Sequence, residues 1–290
     1  MEYLLHILTI AAIYSTVAVS LDLLVGQTGL LSLSHAAFFG IGAYISALTA
    51  LRLGYPFVAS LTAAIVGAVL LSFAVSLPSL RLYGDYFVII TFGFQMIVFN
   101  VLNNWVSLTG GPLGVPGIPQ PSFFGWTLRA RLGLAVLAVL VAFFGYVAID
   151  RVSNSPFGRV LRAIREDEPL ARALGKDTFR FKASAFALSA ALAAMGGVLY
   201  AHYLTFIDPT SFTVMESILV IAMVIIGGAG SPWGPVVGAA LLVVLPEALR
   251  FAGLPGAVAA HLRQIFYGTL IVLMMLLRPS GLVGRYRLGR

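Results

Sequence analysis

Cysteine is absent from the 290-residue chain. That excludes disulfides, thiolate nucleophiles and Cys-built metal sites, and leaves the redox compartment open. Histidine is scarce, and His6, His35, His202 and His261 are too scattered to propose a metal cluster, so no metal and no cofactor is expected. Charge is scarce as well: 10% of residues are charged against 60% hydrophobic, and mean hydropathy is +0.98. A soluble domain of this size could not carry that balance without large exposed apolar patches. No Gly-x-x-x-x-Gly-Lys-Ser/Thr phosphate cradle occurs, which excludes P-loop ATP binding by this chain. No nucleophile and base, and no set of metal ligands, gather at one depth as an intramembrane enzyme requires. Deep ionisable groups are few: Asp22, Glu216 and Glu247 fall near the ends of apolar runs and read as capping or snorkelling groups rather than a proton relay.

What the chain has instead is apolar runs of the length that crosses a bilayer, about 20 residues. They fall near 4–25, 31–50, 56–77, 86–102, 132–150, 183–206, 215–230, 233–250 and 262–277. The expected architecture is an all-α, polytopic transmembrane helical bundle of about nine spans, within a range of about eight to ten because the fourth and seventh runs are short. The chain reads as one membrane domain over 1–290, with a cytoplasmic loop at 150–182 inside it. Met1 and Glu2 supply no positive n-region, so the first run is read as a retained span.

The formal charge of +7 comes from basic residues that border apolar runs and do not interleave with exposed aromatics. It points to membrane topology and not to nucleic acid. Arg151, Arg159, Arg162, Arg165, Arg172, Lys176, Arg180 and Lys182 crowd one loop, and Arg278, Arg285, Arg287 and Arg290 crowd the tail. The positive-inside rule puts both in the cytoplasm, and the parity of the runs then puts the N-terminus outside.

Within the basic loop, Ser155-Pro156 is a helix start, with serine as N-cap and proline at the first helical position. Phe157, Val160, Leu161 and Ile164 follow at helical spacing, forming an apolar stripe opposite Arg159, Arg162 and Glu166, and Arg162 can pair with Glu166. Pro169 ends this helix, and a second runs from Leu170 to Leu174 and stops at Gly175. Two such helices can plug a groove on a partner protein or rest on lipid headgroups. The consecutive acids Glu166, Asp167 and Glu168 favour the protein, since anionic lipid repels them.

Two further features stand out. Val25-Gly-Gln-Thr-Gly-Leu-Leu-Ser32 and Ile226-Gly-Gly-Ala-Gly-Ser-Pro-Trp233 both interrupt apolar runs with a Gly-x-x-Gly step. Paired interruptions can mark transporter repeats, and glycine is also simply common at tight turns of membrane helices. The span centres hold neutral polar residues, including Ser15, Thr16, Thr91, Gln95, Asn100, Ser184 and Ser189, which suit helix packing as readily as a solute path. The Gly- and Pro-rich stretch from Thr109 to Pro121 is no helix and reads as an outer connection or vestibule.

Four segments together carry a family resemblance: Gly26 to Tyr44, Gly84-Asp-Tyr-Phe-Val-Ile-Ile-Thr91, Asn103-Asn-Trp105 with Thr109-Gly-Gly-Pro-Leu-Gly114, and Ser155 to Gly175. The chain resembles the permease subunits of branched-chain amino-acid ABC importers, of the LivM-like type. It differs in Ser34, where glycine is expected, in Gln95, where related chains often carry glutamate, and in Leu113, where asparagine is usual. The resemblance implies a prokaryotic inner-membrane permease, not itself an enzyme, built with inverted repeats. Its implied partners are a second, LivH-like permease subunit, two cytoplasmic ABC ATPase subunits and an extracytoplasmic solute-binding protein. It implies a solute among Leu, Ile, Val or related small compounds. Phe157, Gly158, Arg159, Arg162, Ile164, Arg165, Glu166, Asp167, Pro169 and Gly175 would form the ATPase-coupling segment. Gly26, Gly29, His35, Asp85, Tyr86, Thr91, Gln95 and Thr109 would line or shape the path. The competing expectation is an ion-gradient-coupled carrier or passive channel, in which Asp22, Glu216 or Glu247 would titrate.

Overall fold

The computed structural model describes residues 2–80, 85–123, 126–127, 130–231, 233–251, 265, 268–270, 272–274, 276–278 and 280–283. Long apolar runs with few internal charges leave the backbone one way to satisfy its own polar groups in lipid, which is the helix. Among the described residues, six helical segments are long and apolar enough to cross a membrane: Glu2–Thr28, His35–Leu53, Phe57–Ser79, Tyr86–Asn104, Arg131–Asn154 and Thr178–Leu204. The shorter apolar helix α10 (Val214–Gly227) follows, and then α11 (Trp233–Phe251), whose apolar part is Trp233–Leu245. The protein is an all-α polytopic membrane protein. Of the expected run at 262–277, only scattered residues are described.

The first crossing is α1 (Glu2–Asp22), extended by a π-helical turn, Leu23–Thr28. Gly29, at φ 72°, ends it. Residues 29–34 are then non-helical, and α2 (His35–Leu53) starts later than the run at 31–50 led one to expect. The interruption read at Val25 to Ser32 overlaps this break, but apolar length misplaces its far edge, because Leu30, Leu31 and Leu33 keep the run hydrophobic while Ser32 and Ser34 bond each other, Oγ to Oγ at 2.9 Å. After α3 (Phe57–Ser79) and α4 (Asp85–Asn104) come a short α5 (Val106–Thr109) and a small two-stranded sheet. Its strands β1 (Val115–Pro116) and β4 (Phe206–Ile207) run antiparallel, with Val115 opposite Ile207. A second ribbon pairs β2 (Ser122–Phe123) with β3 (Trp126–Thr127). The helices α6 (Arg131–Asn154), α7 (Pro156–Glu166), α8 (Glu168–Ala173) and α9 (Thr178–Leu204) complete the order before α10.

Side-chain bonds fix the helix directions. His6 meets Tyr203 at 2.7 Å, while Ser189 donates to the Ser20 carbonyl at 2.5 Å, so α1 and α9 are antiparallel. His35 meets Ser189 and Ser46 meets His202, both at 2.8 Å, so α2 runs parallel to α9. Ser20 lies eight residues before Thr28, about 12 Å along a helix. The start of α2, level with Ser20, is therefore buried well inside the bundle. Small residues allow this packing: a Cβ added to Gly197 would lie 1.9 Å from the Phe39 carbonyl oxygen, and one on Gly42 2.3 Å from that of Ala194. Without a hydrophobic drive between helices in lipid, such backbone approach supplies much of the attraction.

Candidate functional site

Two polar assemblies occupy the protein, one deep in the bundle and one at the end bearing α7 and α8. The deep assembly forms where two helices begin inside the molecule. The chain breaks at residues 29–34 before α2, and again after α9, where β4 and the 3-10 turn Pro209–Phe212 precede α10. The two helix starts meet: the Ala36 N–H donates to Ser217 Oγ at 3.0 Å. One face of α4 satisfies both breaks. Thr91 Oγ1 accepts the Leu33 N–H at 3.1 Å, and one turn later Gln95 Nε2 donates to the Phe212 carbonyl at 2.8 Å while its Oε1 accepts from Ser217 at 3.3 Å. Thr91, Gln95 and Ser217 are fully buried. Irregular backbone at membrane depth is tolerated only where protein supplies such partners.

His35 is also buried here. Because the Ser189 hydroxyl donates to the Ser20 carbonyl, Ser189 must accept from His35 Nε2–H. His35 is thereby held as the Nε2–H tautomer, and its Nδ1 has no partner among the described residues. The deep assembly thus brings together His35, Thr91 and Gln95, three of the residues expected at a path. It does not bring in the others. Thr109 lies at the far end of α4, donating to the Leu102 and Trp105 carbonyls at 2.7 and 2.8 Å. Tyr86 is exposed on the first turn of α4, and Asp85 is that helix's first residue. Gly26 and Gly29 sit at the other end, under α7: a Cβ on Gly26 would lie 2.4 Å from the Gly230 nitrogen, and one on Gly29 2.8 Å from Arg165 Cγ. The two Gly-x-x-Gly interruptions therefore touch each other.

Two carboxylates depart from their expected setting. Asp22 is fully buried and is no snorkelling group: its Oδ1 accepts the Gly230 N–H at 2.8 Å, and its Oδ2 has no hydrogen-bond partner among the described residues. Glu216, in the first turn of α10, accepts from the Tyr14 hydroxyl midway along α1, so it lies inside the bundle rather than at an interface. Thr213-x-x-Glu216 before an apolar run was the sequence signal for that helix start. The side chain of Glu247 lies outside the described residues.

At the α7 end, Ser155 Oγ caps the helix by accepting the Gly158 N–H at 3.3 Å, as the Ser-Pro start predicts. Asp167 closes α7 and caps α8, accepting the Leu170 N–H at 2.9 Å, with Pro169 in the first turn and Gly175, at φ 77°, beyond the end. The apolar stripe, however, is not free. Leu161 and Ile164 are buried in the protein's own body, and Phe157 stacks at 5.3 Å on Phe181 of α9. Arg162 and Glu166 do not pair. Arg162 Nη1 turns inward to Gln27 Oε1 at 3.0 Å and to the Ser153 carbonyl at 2.6 Å. Arg165 donates to the Gly26 carbonyl and pairs with Glu166 at 2.7 Å. Buried carbonyls at the end of the π-helical turn recruit these guanidiniums more strongly than a solvated carboxylate one turn away does.

The residues left outward on this surface include Arg159, Glu166, Asp167, Pro169, Leu170, Leu174 and Gly175. Leu170 and Leu174 are 56% and 72% exposed. Beneath them Glu168 ties α8 to α9. It receives Lys182 Nζ at 2.8 Å, Arg172 Nη2 at 2.6 Å and the Thr178 hydroxyl at 2.9 Å. Burial alone would raise the Glu168 carboxyl, but the Lys182 ammonium, with Thr178 and Arg172, outweighs it and holds the group below the usual glutamate value.

Comparison with known proteins accords with this architecture. The family model for the branched-chain amino acid transport system permease component matches residues 3–275. The chain is 37% identical, over 96% of its length and 69% of the relative's, to the high-affinity branched-chain amino acid transport system permease protein LivM of Escherichia coli. It is 30% identical over 78% of its length to the probable LivM of Methanocaldococcus jannaschii, and 26% identical over 96% to LivH of Escherichia coli. No solved structure matches it. A bundle with two helix breaks sealed by α4 and a basic helical loop bonded to the first break thus belongs to the branched-chain amino acid transport permease family.

Proposed function

We propose that this chain is the LivM-like half of an ATP-driven importer for branched-chain amino acids, working beside a second, LivH-like permease. Two cytoplasmic ABC ATPase subunits would drive it, and an extracytoplasmic solute-binding protein would deliver to it. The observation that carries this reading is the pair of bonds from Arg162 and Arg165 of α7 to Gln27 and Gly26. They tie a basic surface helix to the last turn before the chain breaks inside the bundle. A push or pull on α7 has a rigid route to the start of α2, and through the Ala36–Ser217 bond to the start of α10. Transport driven by partners requires such a bistable element biased from outside.

In this reading α7 and α8 face the cytoplasm, the N-terminus faces outward, and about nine crossings complete the fold. The stretch from α1 through its break to α2, α3 and α4 and the stretch from α9 through its break onward run in opposite senses, which supports an inverted repeat. The ATPase contact consists of the outward residues of α7 and α8, with Leu170 and Leu174 as its apolar centre, while Arg162 and Arg165 transmit and do not dock. His35, Thr91 and Gln95 shape the path by holding its broken helices. The experiment is reconstitution of the chain with its partner permease, ATPases and binding protein in vesicles. ATP-dependent leucine uptake is expected, and uptake by the chain alone under a proton gradient would overturn the reading in favour of a carrier built on Glu216.

A further inference from the structure

A cavity of about 480 Å³ lies between α6, α7 and the turn that opens α11, outside the deep assembly. That volume falls in the range of small-molecule sites, about 300–1,000 Å³. Its α6 wall carries Tyr146, Asp150 and Ser153 at helical spacing, its α7 wall carries Arg162 and Arg165, and Trp233 closes it from α11.

The lining has three chemically distinct parts. The first is cationic: Arg162 spends Nη1 on Gln27 and the Ser153 carbonyl, and its remaining guanidinium donors have no partner among the described residues. Ser153 Oγ, in a residue only 4% exposed, is likewise without a partner there. The second is anionic, the Asp150 carboxylate, whose one bond among the described residues is from Asn154 Nδ2 at 3.1 Å. The third is an aromatic shelf, Tyr146 against Trp233 with ring centroids 4.7 Å apart.

We propose that this cavity binds a zwitterionic α-amino acid from the side bearing α7, its carboxylate on Arg162 and Ser153, its ammonium on Asp150, and its side chain on Tyr146 and Trp233. A bare anion would leave Asp150 repelling it, and a bare cation would meet two guanidiniums. Only a molecule with both charges and an apolar portion uses every wall. A ligand here clamps α7 to α6 and to the start of α11, so it holds the helix that carries drive into the bundle. With α7 in the cytoplasm, as the proposed function has it, imported product would slow its own import.

The test uses the complete importer in vesicles, with leucine loaded inside before ATP-driven uptake is started. Internal leucine is expected to slow uptake. Asp150→Asn should weaken that inhibition about tenfold, the cost of one charge-assisted hydrogen bond, while uptake into empty vesicles stays at the parent rate. Trp233→Leu should act in the same direction. Binding of labelled leucine to the complex without ATP or binding protein, followed by equilibrium dialysis, should weaken in parallel. Indifference to internal leucine would overturn the proposal, as would Asp150→Asn behaving as parent. Equal potency of 4-methylpentanoate, which lacks the ammonium, would show a plain anion site. An effect set by the vesicle's anionic lipid content, and not by leucine, would show a headgroup site and overturn it also. Absence of ATP-driven uptake with leucine binding intact would instead sink the importer reading alone.

Discussion

Replacing Arg165 with methionine tests the proposed route of transmission through α7. Methionine keeps an unbranched stem, so the packing of Arg165 Cγ against Gly29 is preserved, and only the guanidinium is lost. Arg165 is 11% exposed at its side chain and Glu166 66%, so the ion pair between them is solvated at one end and worth little. The bond to the buried Gly26 carbonyl is the costly loss. Hydrogen bonds to a charged group contribute about 1.5–3 kcal/mol, and the orphaned carbonyl adds to that. At 1.4 kcal/mol per tenfold, leucine transported per ATP hydrolysed should fall about 10- to 150-fold. The assay is parallel uptake and phosphate release by the reconstituted importer, with subunit stoichiometry read from the purified complex. Full ATPase content with a collapsed uptake-to-hydrolysis ratio is the expected outcome. An unchanged ratio refutes the transmission route. Loss of the ATPase subunits from the complex shows that Arg165 docks, and refutes it equally.

Gln95→Leu should lower the midpoint of thermal aggregation and halt uptake, because it takes the donor from the Phe212 carbonyl and the acceptor from the Ser217 hydroxyl at a cost of about 1–3 kcal/mol; a parent-like midpoint would contradict the stapling role of α4. Gly197→Val should prevent stable accumulation in the membrane, since even a Cβ there would lie 1.9 Å from the Phe39 carbonyl oxygen, and immunoblotting of membranes checks it. Leu170→Asp with Leu174→Asp should release the ATPase subunits on purification while leaving the permease's own thermal midpoint within about 0.5 kcal/mol equivalent, as both side chains are exposed. The Glu168 knot should be acid-labile. Its carboxyl is held below the ordinary 4.5, so its stabilisation is full above that value and is lost as pH falls through the depressed one. Faster trypsin cleavage at Lys176 as a brief acid exposure is taken progressively below the ordinary glutamate range, absent in Glu168→Gln because that knot is already loosened at neutral pH, checks it.

The amino-acid sequence by itself determined the class of the protein, the helical caps of the basic loop and the family. Each rests on local or compositional physics. Apolar length selects helices, Ser155-Pro156 starts one and Gly175 follows the last turn, whereas Asp167, and not Pro169, closes the first and caps the second. Only tertiary structure decided where helices break inside the bundle and which way charges face. The Gly26 to Gly29 step marked the start of the break, but its length through Leu30 to Ser34 is written in leucine and serine, and it survives because Thr91, 58 positions away from Leu33, supplies the missing bond. Arg162 and Glu166 have ideal spacing for a surface pair, yet Arg162 bonds to Gln27, 135 positions distant, because a buried acceptor outbids a solvated one. Asp22 reads as an interfacial carboxylate by its place near a run's end and is buried because Gly230 folds back onto it. Hydrogen bonds between residues far apart in the chain leave no periodicity to read, so the depth of the breaks, the inward arginines and the cavity at Asp150 belong to the fold alone.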